Sequence, residues 1–277
     1  MNKTVLITGG NAGIGKSTAI GLAKKGYHVI IACRNVAKGE TAVAEIQQAS
    51  KNQNISLLKC DLSSFASIKK CAETFLSEHD KLDVLINNAG IFTSECRPTA
   101  EGYEMQFGVN HLGHFYLTHL LLEAIQNAPQ PRIVNVSSKA HYGCELDFER
   151  FKCGDWSYSQ MEVYRRSKLC NVLFTKQLAK RYPNITSHCL HPGVVGTSFA
   201  SKETSWWVGM VWKLGSLFMI SPDKGAENSI YVATSEEVLA MNGEYFDDKK
   251  RYKASKPARD EQTAEKLWKW SMDACGL

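Results

Sequence analysis

The sequence predicts an α/β protein built on a doubly wound parallel sheet with helices on both faces. Short runs rich in apolar and β-branched residues alternate with longer segments of helical periodicity. The short runs are almost continuously apolar, which is typical of parallel strands buried on both faces. Because crossovers between parallel strands are right-handed, this alternation leads to a doubly wound arrangement.

The elements follow in order along the chain. Strands are predicted at residues 5–8, 28–32, 55–60, 82–86, 132–136 and 185–190. Helices are predicted at residues 13–26, 38–50, 65–79, 105–126 and 162–181. The order is that of a Rossmann-type sheet, and the sequence has no internal repeat or low-complexity linker. We therefore expect one domain spanning residues 1–277, with a less regular segment at about residues 193–222.

Composition and charge favour an ordinary globular protein. Hydrophobic residues make up 44% of the chain and charged residues 22%, which is enough material for a core. The net charge of +5 is spread along the chain, which argues against nucleic acid as a partner. The nine cysteines show no C-x-x-C spacing, so we expect free, mostly buried thiols. Only Met1, Asn2 and Lys3 precede the apolar run TVLIT of the first strand, so we expect no signal peptide or anchor and a cytoplasmic location.

A glycine-rich turn joins the first strand to the first helix. Residues 8–15 read TGGNAGIG. Glycines there let a phosphate approach the N–H groups at the N-terminus of the helix. The turn also matches a P-loop, because Gly10 is followed at P-loop spacing by Gly15, Lys16 and Ser17. The turn therefore predicts a nucleotide site and leaves a dinucleotide and a nucleoside triphosphate both open.

Motifs further along the chain separate these two interpretations. A P-loop enzyme needs a carboxylate after a second strand to hold magnesium, and Asp61 could supply it. The chain, however, resembles the short-chain dehydrogenase/reductase family in six motifs that occur in the family's order. These are T-G-x3-G-x-G at residues 8–15, N-N-A-G at 87–90, a helix asparagine at Asn110, a serine pair at 137–138, Y-x-x-x-K at Tyr164 and Lys168, and P-G-x-x-x-T at 192–197. The joint match favours the dehydrogenase.

The Y-x-x-x-K motif alone is weak evidence for a catalytic site, because the sequence contains it three times, beginning at Tyr164, Tyr245 and Tyr252. The first of these lies on a predicted helix that follows the strand ending in the serine pair. We assign no function to the other two.

The end of the second strand predicts the cofactor. Sites that prefer NAD place an acidic residue there, whereas this chain has Cys33 followed by Arg34. A neutral cysteine does not repel the 2′-phosphate of NADP, and a guanidinium can bind it. We therefore predict NADP(H) rather than NAD(H). The cofactor-binding residues that the resemblance implies are Gly9, Asn11, Gly13, Ile14, Gly15, Arg34, Asp61, Leu62, Asn88, Ala89, Gly90, Tyr164, Lys168, Pro192, Gly193, Val195 and Thr197.

The resemblance implies hydride transfer with four catalytic residues. No clustered metal site is apparent in the sequence, so hydrogen bonds must polarise the carbonyl. Tyr164 would act as general acid in reduction and as base in the reverse direction. Lys168, one helical turn later, is expected to lower the phenol pKa from its usual value of about 10. Ser138, rather than Ser137, would orient the substrate oxygen, and Asn110 would hold a proton-relaying water.

Within that family, the chain is most similar to the retinol dehydrogenase branch. The similarity lies in the long interval from Ser138 to Tyr164, the ACRN turn and the C-terminal sequence. Residues 205–220 contain three tryptophans, follow the P-G-x-x-x-T motif, and are too short to span a bilayer. We expect residues 193–222 to form a lid over an apolar aldehyde, ketone or alcohol. A core helix and a peripheral membrane contact are the alternatives.

We therefore expect an NADP(H)-dependent carbonyl reductase that also oxidises the corresponding alcohol. Two alternatives come from other classes: a sensor or scaffold that binds NADP(H) without useful catalysis, and a P-loop nucleotide hydrolase. A homo-oligomer is compatible with the resemblance.

Overall fold

The sheet confirms the predicted fold class. The computed structural model describes residues 3–193 and 221–277, and in these residues eight strands form one sheet in the order β3-β2-β1-β4-β5-β6-β7-β8. The strands are β1 (Thr4–Thr8), β2 (His28–Cys33), β3 (Ile55–Lys59), β4 (Val84–Asn87), β5 (Arg132–Val136), β6 (Thr186–His191), β7 (Tyr245–Asp247) and β8 (Lys250–Tyr252). Described neighbours pair in parallel from β3 to β7, whereas β8 is antiparallel to β7.

Helices cover both faces of the sheet. They are α1 (Gly13–Lys24), α2 (Val36–Ser50), α3 (Phe65–Glu78), α4 (Met105–Phe107), α5 (Gly113–Leu120), α6 (Leu122–Gln126), α7 (Gln160–Arg181), α8 (Pro222–Thr234) and α9 (Glu261–Cys275). In β1, Leu6 faces the core beneath α3, α5 and α7, while Val5 and Ile7 face the core beneath α1, α2 and α8. Full burial of one such side chain stabilises the fold by about 1.5–3 kcal/mol. Burial on both faces explains why the strands lack polar alternation.

The helix predicted at residues 105–126 is not continuous. Between α4 and α5 the chain forms a π-helical segment, Gly108–Leu112, and α6 follows α5 after Leu121. The start of α4 is fixed by the buried carboxylate of Glu104, which accepts hydrogen bonds from the backbone N–H groups of Gln106 and Phe107. Wide π turns often occur at functional sites. This one contains Asn110.

The C-terminal part of the chain adds elements that the sequence patterns do not predict. The hairpin of β7 and β8 closes through Asp248 and Lys249, both with positive φ, as a two-residue hairpin turn of type I′ requires. The second and third Y-x-x-x-K motifs therefore begin on strands rather than on a helix. Farther on, Trp268 of α9 packs against Phe115 of α5, with ring centroids 5.2 Å apart.

The prediction of free thiols is wrong at two positions. Cys96 and Cys153 form a disulfide with Cα atoms 5.9 Å apart, whereas the other seven cysteines are free. The two loops meet because the backbone N–H of Glu104 donates to the carbonyl of Phe151 at 2.9 Å. Loop packing of this kind cannot be deduced from cysteine spacing.

Two predictions concern the membrane and the lid. None of the helices in residues 3–193 and 221–277 has both the length and the apolar character needed to cross a bilayer. Residues 194–220, which hold most of the predicted lid together with Val195 and Thr197, lie outside the described part of the chain.

Candidate active site

The candidate site lies at the carboxyl ends of the central strands. Successive strands run outward from β1 in one direction as β2 and β3, and in the other as β4, β5 and β6. The crevice where this order reverses is where doubly wound sheets bind ligands. Thr8 ends β1, Asn88 directly follows β4 and Ser138 lies two residues after β5, so all three are at the carboxyl ends of neighbouring strands.

The glycine turn of this crevice is built without room for side chains. Gly9 and Gly13 adopt φ of 66° and 53°, which favours glycine. A Cβ at Gly15 would lie 2.3 Å from the carbonyl oxygen of Gly9 and 2.6 Å from Nδ2 of Asn88. The N-cap of α1 is Ala12, whose side chain has no polar atom for the N–H groups of the first turn. Those groups, with Ile14 among them, suit a phosphate.

A polar pocket of about 520 Å³ extends from the glycine turn to the end of β2. Its lining consists of Asn11, Ala12, Lys16, Cys33, Arg34, Asn35, Lys38, Thr41, Ala42 and Glu45. Arg34 and Lys38 are exposed, and the sequence analysis did not single out Lys38. Lys16, the lysine of the P-loop interpretation, pairs with Glu45 at 2.7 Å. The pocket therefore combines two exposed basic residues, Arg34 and Lys38, with a cysteine rather than an acidic residue at the end of β2.

Asp61 and Leu62, two of the predicted cofactor-binding residues, lie after β3. Asp61 accepts hydrogen bonds from the backbone N–H and the hydroxyl of Ser63, and Leu62 is buried beside it. A Cβ at Gly113 would lie 2.5 Å from the carbonyl oxygen of Leu62, so this glycine lets α5 approach the loop closely. Asp61 and Leu62 are thereby fixed at one end of the crevice.

The hydroxyl of Thr8 joins the glycine turn to the N-N-A-G turn. It accepts the backbone N–H groups of Asn88 and Ala89 at 2.9 and 3.0 Å. His114 bonds the same oxygen through Nε2 at 2.8 Å and the carbonyl of Asn110 through Nδ1 at 3.1 Å. Because a carbonyl only accepts, Nδ1 carries the proton and Thr8 donates to Nε2. Burial lowers the pKa of His114 to about 4, which favours this neutral ring.

Asn110 holds the segment that follows Gly90. Its Oδ1 accepts the backbone N–H of Ile91 at 2.7 Å, and its Nδ2 donates to the carbonyl of Ile91 and to Oγ of Ser167. Ser167 donates in turn to the carbonyl of Tyr164. The asparagine side chain thus links the N-N-A-G turn to the helix that carries Tyr164.

The two serines after β5 have different environments. Ser137 is buried, and its hydroxyl donates to the carbonyl of Lys168 at 2.7 Å, which holds α7 against the sheet. Ser138 is half-buried, accepts the backbone N–H of Ala140, and is near enough to Tyr164 for its hydroxyl to lower the pKa of the phenol. Of the two, Ser138 is the serine that faces Tyr164.

Tyr164 and Lys168 lie one turn apart on α7. Nζ of Lys168 donates to the carbonyl of Val136 at 3.1 Å and lies 5.6 Å from the centre of the Tyr164 ring. Burial raises the pKa of Tyr164 to about 12, partly offset by the nearby hydroxyl of Ser138. Burial also lowers the pKa of Lys168 to about 8. In this structure burial sets the direction of the phenol pKa, because the ammonium of Lys168 is held at the carbonyl of Val136, and the lowering by Lys168 stays a prediction.

One wall of the site comes from residues that sequence reasoning missed. Phe92 packs edge-on against Tyr164, with ring centroids 5.6 Å apart. Its neighbour Thr93 bonds the hydroxyl of Tyr158, which also bonds Glu104. Tyr158 belongs to the long interval before Tyr164, so this interval packs beside the site as a lip. The apolar Ile91 and Phe92 directly after N-N-A-G were the available signal.

The far end of the crevice is formed by the chain after β6. Asn228 of α8 donates to the carbonyl of His191 at 2.8 Å and fixes the strand end. Pro192 and Gly193 follow, and Gly193 has a φ of 91°. Both residues were predicted to bind the cofactor. They directly follow the end of β6, and the undescribed residues come after them in the sequence.

Crevices of this topology bind dinucleotides. A tyrosine, a serine and a lysine beside such a crevice are typical of an oxidoreductase. A family model described as short chain dehydrogenase matches residues 3–207. Retinol dehydrogenase 12 of Mus musculus is 44% identical over 277 residues, which cover 99% of this chain and 87% of that protein. Retinol dehydrogenase 11 of Homo sapiens is 42% identical, with 99% and 86% covered. The chain belongs to the short-chain dehydrogenase family and is similar to retinol dehydrogenases.

Solved structures agree with this assignment. An uncharacterized protein from Mycobacterium paratuberculosis superposes with a TM-score of 0.80 at 30% sequence identity, covering 99% of this chain and 93% of that one. The family binds a nicotinamide cofactor. The glycine turn fits such a group, because a phosphate can approach backbone that any side chain at Gly15 would block.

Replacement of Gly15 by alanine tests the turn. The added Cβ would force the backbone of Gly9 to move, so we expect the dissociation constant for NADPH to rise at least about tenfold. Fluorescence titration measures this. The control is Gly154→Ala, whose Cβ would meet Trp156 at an ordinary 3.5 Å. Unchanged NADPH binding by a folded Gly15→Ala protein would contradict the assigned phosphate site.

Proposed function

We propose that this protein is an NADP(H)-dependent carbonyl reductase acting on apolar aldehydes or ketones, and on the corresponding alcohols in reverse. The observation that carries the proposal is that Lys168, held at the carbonyl of Val136 at the end of β5, lies 5.6 Å from the ring of Tyr164, while Ser138 follows the same strand and lowers the pKa of that phenol. Two hydroxyls on one side of a crevice can hold a carbonyl oxygen between them.

The roles of the residues follow from their chemistry. When bound, the nicotinamide supplies the hydride in reduction and accepts it in oxidation. Ser138 donates a hydrogen bond to the substrate oxygen and keeps it beside Tyr164. Tyr164 gives its phenolic proton to that oxygen as negative charge develops, and takes it back during alcohol oxidation. The ammonium of Lys168 stabilises the phenolate electrostatically. Asn110 keeps the segment beside Tyr164 in register through both of its bonds to Ile91.

Other residues hold the dinucleotide. The turn at Gly9, Asn11, Gly13, Ile14 and Gly15 receives the pyrophosphate, Asp61 and Leu62 the adenine, and residues 88–90 and 192–193 flank the nicotinamide half. Lys168 and Tyr164 are close enough to the crevice to contact its ribose. Val195 and Thr197 complete the predicted set.

NADP(H) is preferred over NAD(H) on electrostatic grounds. Arg34 and Lys38 line the pocket at the end of β2, where a 2′-phosphate would lie. A guanidinium binds phosphate through two parallel hydrogen bonds, and the ammonium adds a second positive charge. The residue at the end of β2 is Cys33 rather than an aspartate or glutamate, whose carboxylate would repel that phosphate.

An apolar substrate is supported by the wall and by the relatives. Phe92 presents its ring beside Tyr164, and the sequence after Gly193 contains the tryptophan-rich residues 205–220. The names of the similar dehydrogenases refer to retinol, a long apolar alcohol. Apolar pockets with a few polar groups are typical of such substrates.

The Tyr164→Phe variant tests the reaction. Loss of the proton donor should reduce kcat for NADPH-dependent reduction of a medium-chain aldehyde by about 10²- to 10⁴-fold. The dissociation constant for NADPH should stay within about threefold, because the phenol is not part of the phosphate site. Tyr252→Phe, which alters the third Y-x-x-x-K motif on exposed β8, should retain wild-type kcat. A Tyr164→Phe enzyme of near-native rate would remove Tyr164 from the mechanism.

The Arg34→Ala variant tests cofactor preference. Loss of charge-assisted bonds to a phosphate should weaken NADPH binding by about 10- to 100-fold and leave NADH binding unchanged within about twofold. Calorimetric titration with both cofactors measures the ratio. Lys25→Ala removes the same charge at the other end of α1 and should change neither constant. Equal weakening of both cofactors would contradict a 2′-phosphate site at Arg34.

The pH dependence of reduction tests Lys168. The pKa of this lysine is lowered by burial to about 8, so it loses its charge as the pH rises through that value. Tyr164, with its pKa raised by burial to about 12, remains protonated over the same range. We therefore expect kcat for reduction to fall above about pH 8. In Lys168→Arg the guanidinium stays charged, and the fall near pH 8 should disappear, whatever the absolute rate. Its persistence would contradict the assignment.

A further inference from the structure

A buried histidine lies directly behind Ser138. His141 is fully buried, and its Nδ1 lies 2.6 Å from the carbonyl oxygen of Ser138. On the other side of the ring, Nε2 lies 3.2 Å from the backbone N of Ser255, in the chain between β8 and α9. One imidazole thus bridges the loop that carries Ser138 and a C-terminal segment 114 residues farther along.

The two partners determine where the ring proton resides. The backbone N–H of Ser255 can only donate, so Nε2 must be the unprotonated acceptor. The carbonyl of Ser138 can only accept, so Nδ1 must carry the proton. Burial lowers the pKa of His141, which favours this neutral form. Both hydrogen bonds are satisfied in one tautomer only.

We propose that His141 is a positioning residue for the reaction: its Nδ1–H fixes the backbone of Ser138 and so aims the serine hydroxyl at the substrate oxygen. The inference rests on the proposed function of Ser138. The orientation of that hydroxyl depends on the tight turn Lys139–His141, since Oγ of Ser138 accepts the N–H of Ala140 within it. A shift of the Ser138 carbonyl would rotate the turn and the hydroxyl together.

The anchor on the C-terminal side is itself held in place. Tyr142 donates its hydroxyl to the carbonyl of Lys253 at 2.6 Å, and Oγ of Ser255 accepts the N–H of Ala258 at 3.3 Å. The ring of His141 packs between Tyr142 and Tyr245, at centroid distances of 4.2 and 4.8 Å. Ser138 is therefore held in place by the C-terminal segment around Ser255 as well as by the strand β5 that precedes it.

Two substitutions separate the two hydrogen bonds. In His141→Asn, the amide NH₂ takes the place of Nδ1 and can still donate to Ser138, while the bond to Ser255 is lost. In His141→Gln, the longer amide takes the place of Nε2 and can still accept from Ser255, while the side-chain bond to Ser138 is lost and its carbonyl keeps only the backbone N–H of residue 141, at 3.1 Å. We expect His141→Asn to keep kcat within about threefold of wild type. His141→Gln should lose about 10- to 100-fold in kcat with an unchanged KM for NADPH, since misplaced reacting groups carry penalties of this size.

His188 supplies a matched control. It is equally buried, accepts the backbone N–H of Glu244 at Nδ1, and donates from Nε2 to the carbonyl of Val238, far from Ser138. His188→Gln should lower the melting temperature about as much as His141→Gln and leave kcat unchanged. Wild-type kcat in His141→Gln, or an equal loss of kcat in His188→Gln, would overturn the inference.

A spectroscopic measurement keeps the inference separate from the proposed function. Ring ¹⁵N–¹H correlation spectra of the wild-type protein should contain signals of neutral histidines protonated at Nδ1, among them His114 and His141, and only one of these signals should vanish in His141→Asn. A proton on Nε2 of His141, or on both nitrogens at pH 7, would overturn the inference even if the enzyme is active. If no carbonyl compound is turned over but the expected tautomer of His141 is found, the proposed reaction is refuted. The hydrogen bonds of His141 to Ser138 and Ser255 would then still stand.

Discussion

The hydroxyl of Thr8 is the junction on which the nucleotide turn and the catalytic helices both depend. It accepts two backbone N–H groups from the turn after β4 and donates to His114, which in turn bonds the carbonyl of Asn110. Thr8, His114 and Asn110 are buried, so a missing partner for one of them would cost about 1–3 kcal/mol. The glycine turn, the N-N-A-G turn and the π-helical segment are consequently one cooperative unit. A cofactor that contacts the first of them therefore touches a structure already connected to Tyr164 through Asn110 and Ser167.

Around this junction, the walls of the site are made by parts of the chain that are distant in sequence. Tyr158 joins the lip to Glu104 and Thr93, and the disulfide between Cys96 and Cys153 connects the same two loops covalently. On the opposite side, the C-terminal segment braces Ser138 through His141. The parallel sheet supplies the crevice, and these long-range contacts give it its shape. Neighbouring loops with such different connections explain how one fold accommodates many substrates within a family.

The strands and the motif residues could be predicted from sequence because their signals are local. A strand buried on both faces is an apolar run, and a glycine turn must contain glycine wherever a Cβ would collide with backbone, as at Gly15. Other features depend on tertiary contacts. One extra residue in the turn around Asn110 leaves the helical periodicity of the sequence nearly unchanged. The π-helical segment therefore cannot be predicted from that periodicity. The role of His141 requires Ser255, and the raised pKa of Tyr164 requires its burial, which sequence separation does not reveal.

The short antiparallel strand β8 has a consequence for the protein in concentrated solution. A sheet that ended in β7 would present a row of unpaired N–H and C=O groups, which can recruit a strand from another molecule. Here β8 pairs with that row and places exposed Lys250 and Arg251 along the rim. Cationic side chains on a three-residue strand offer a poor template for further strands. The hairpin therefore disfavours fibrillar growth at this rim, an effect unrelated to hydride transfer.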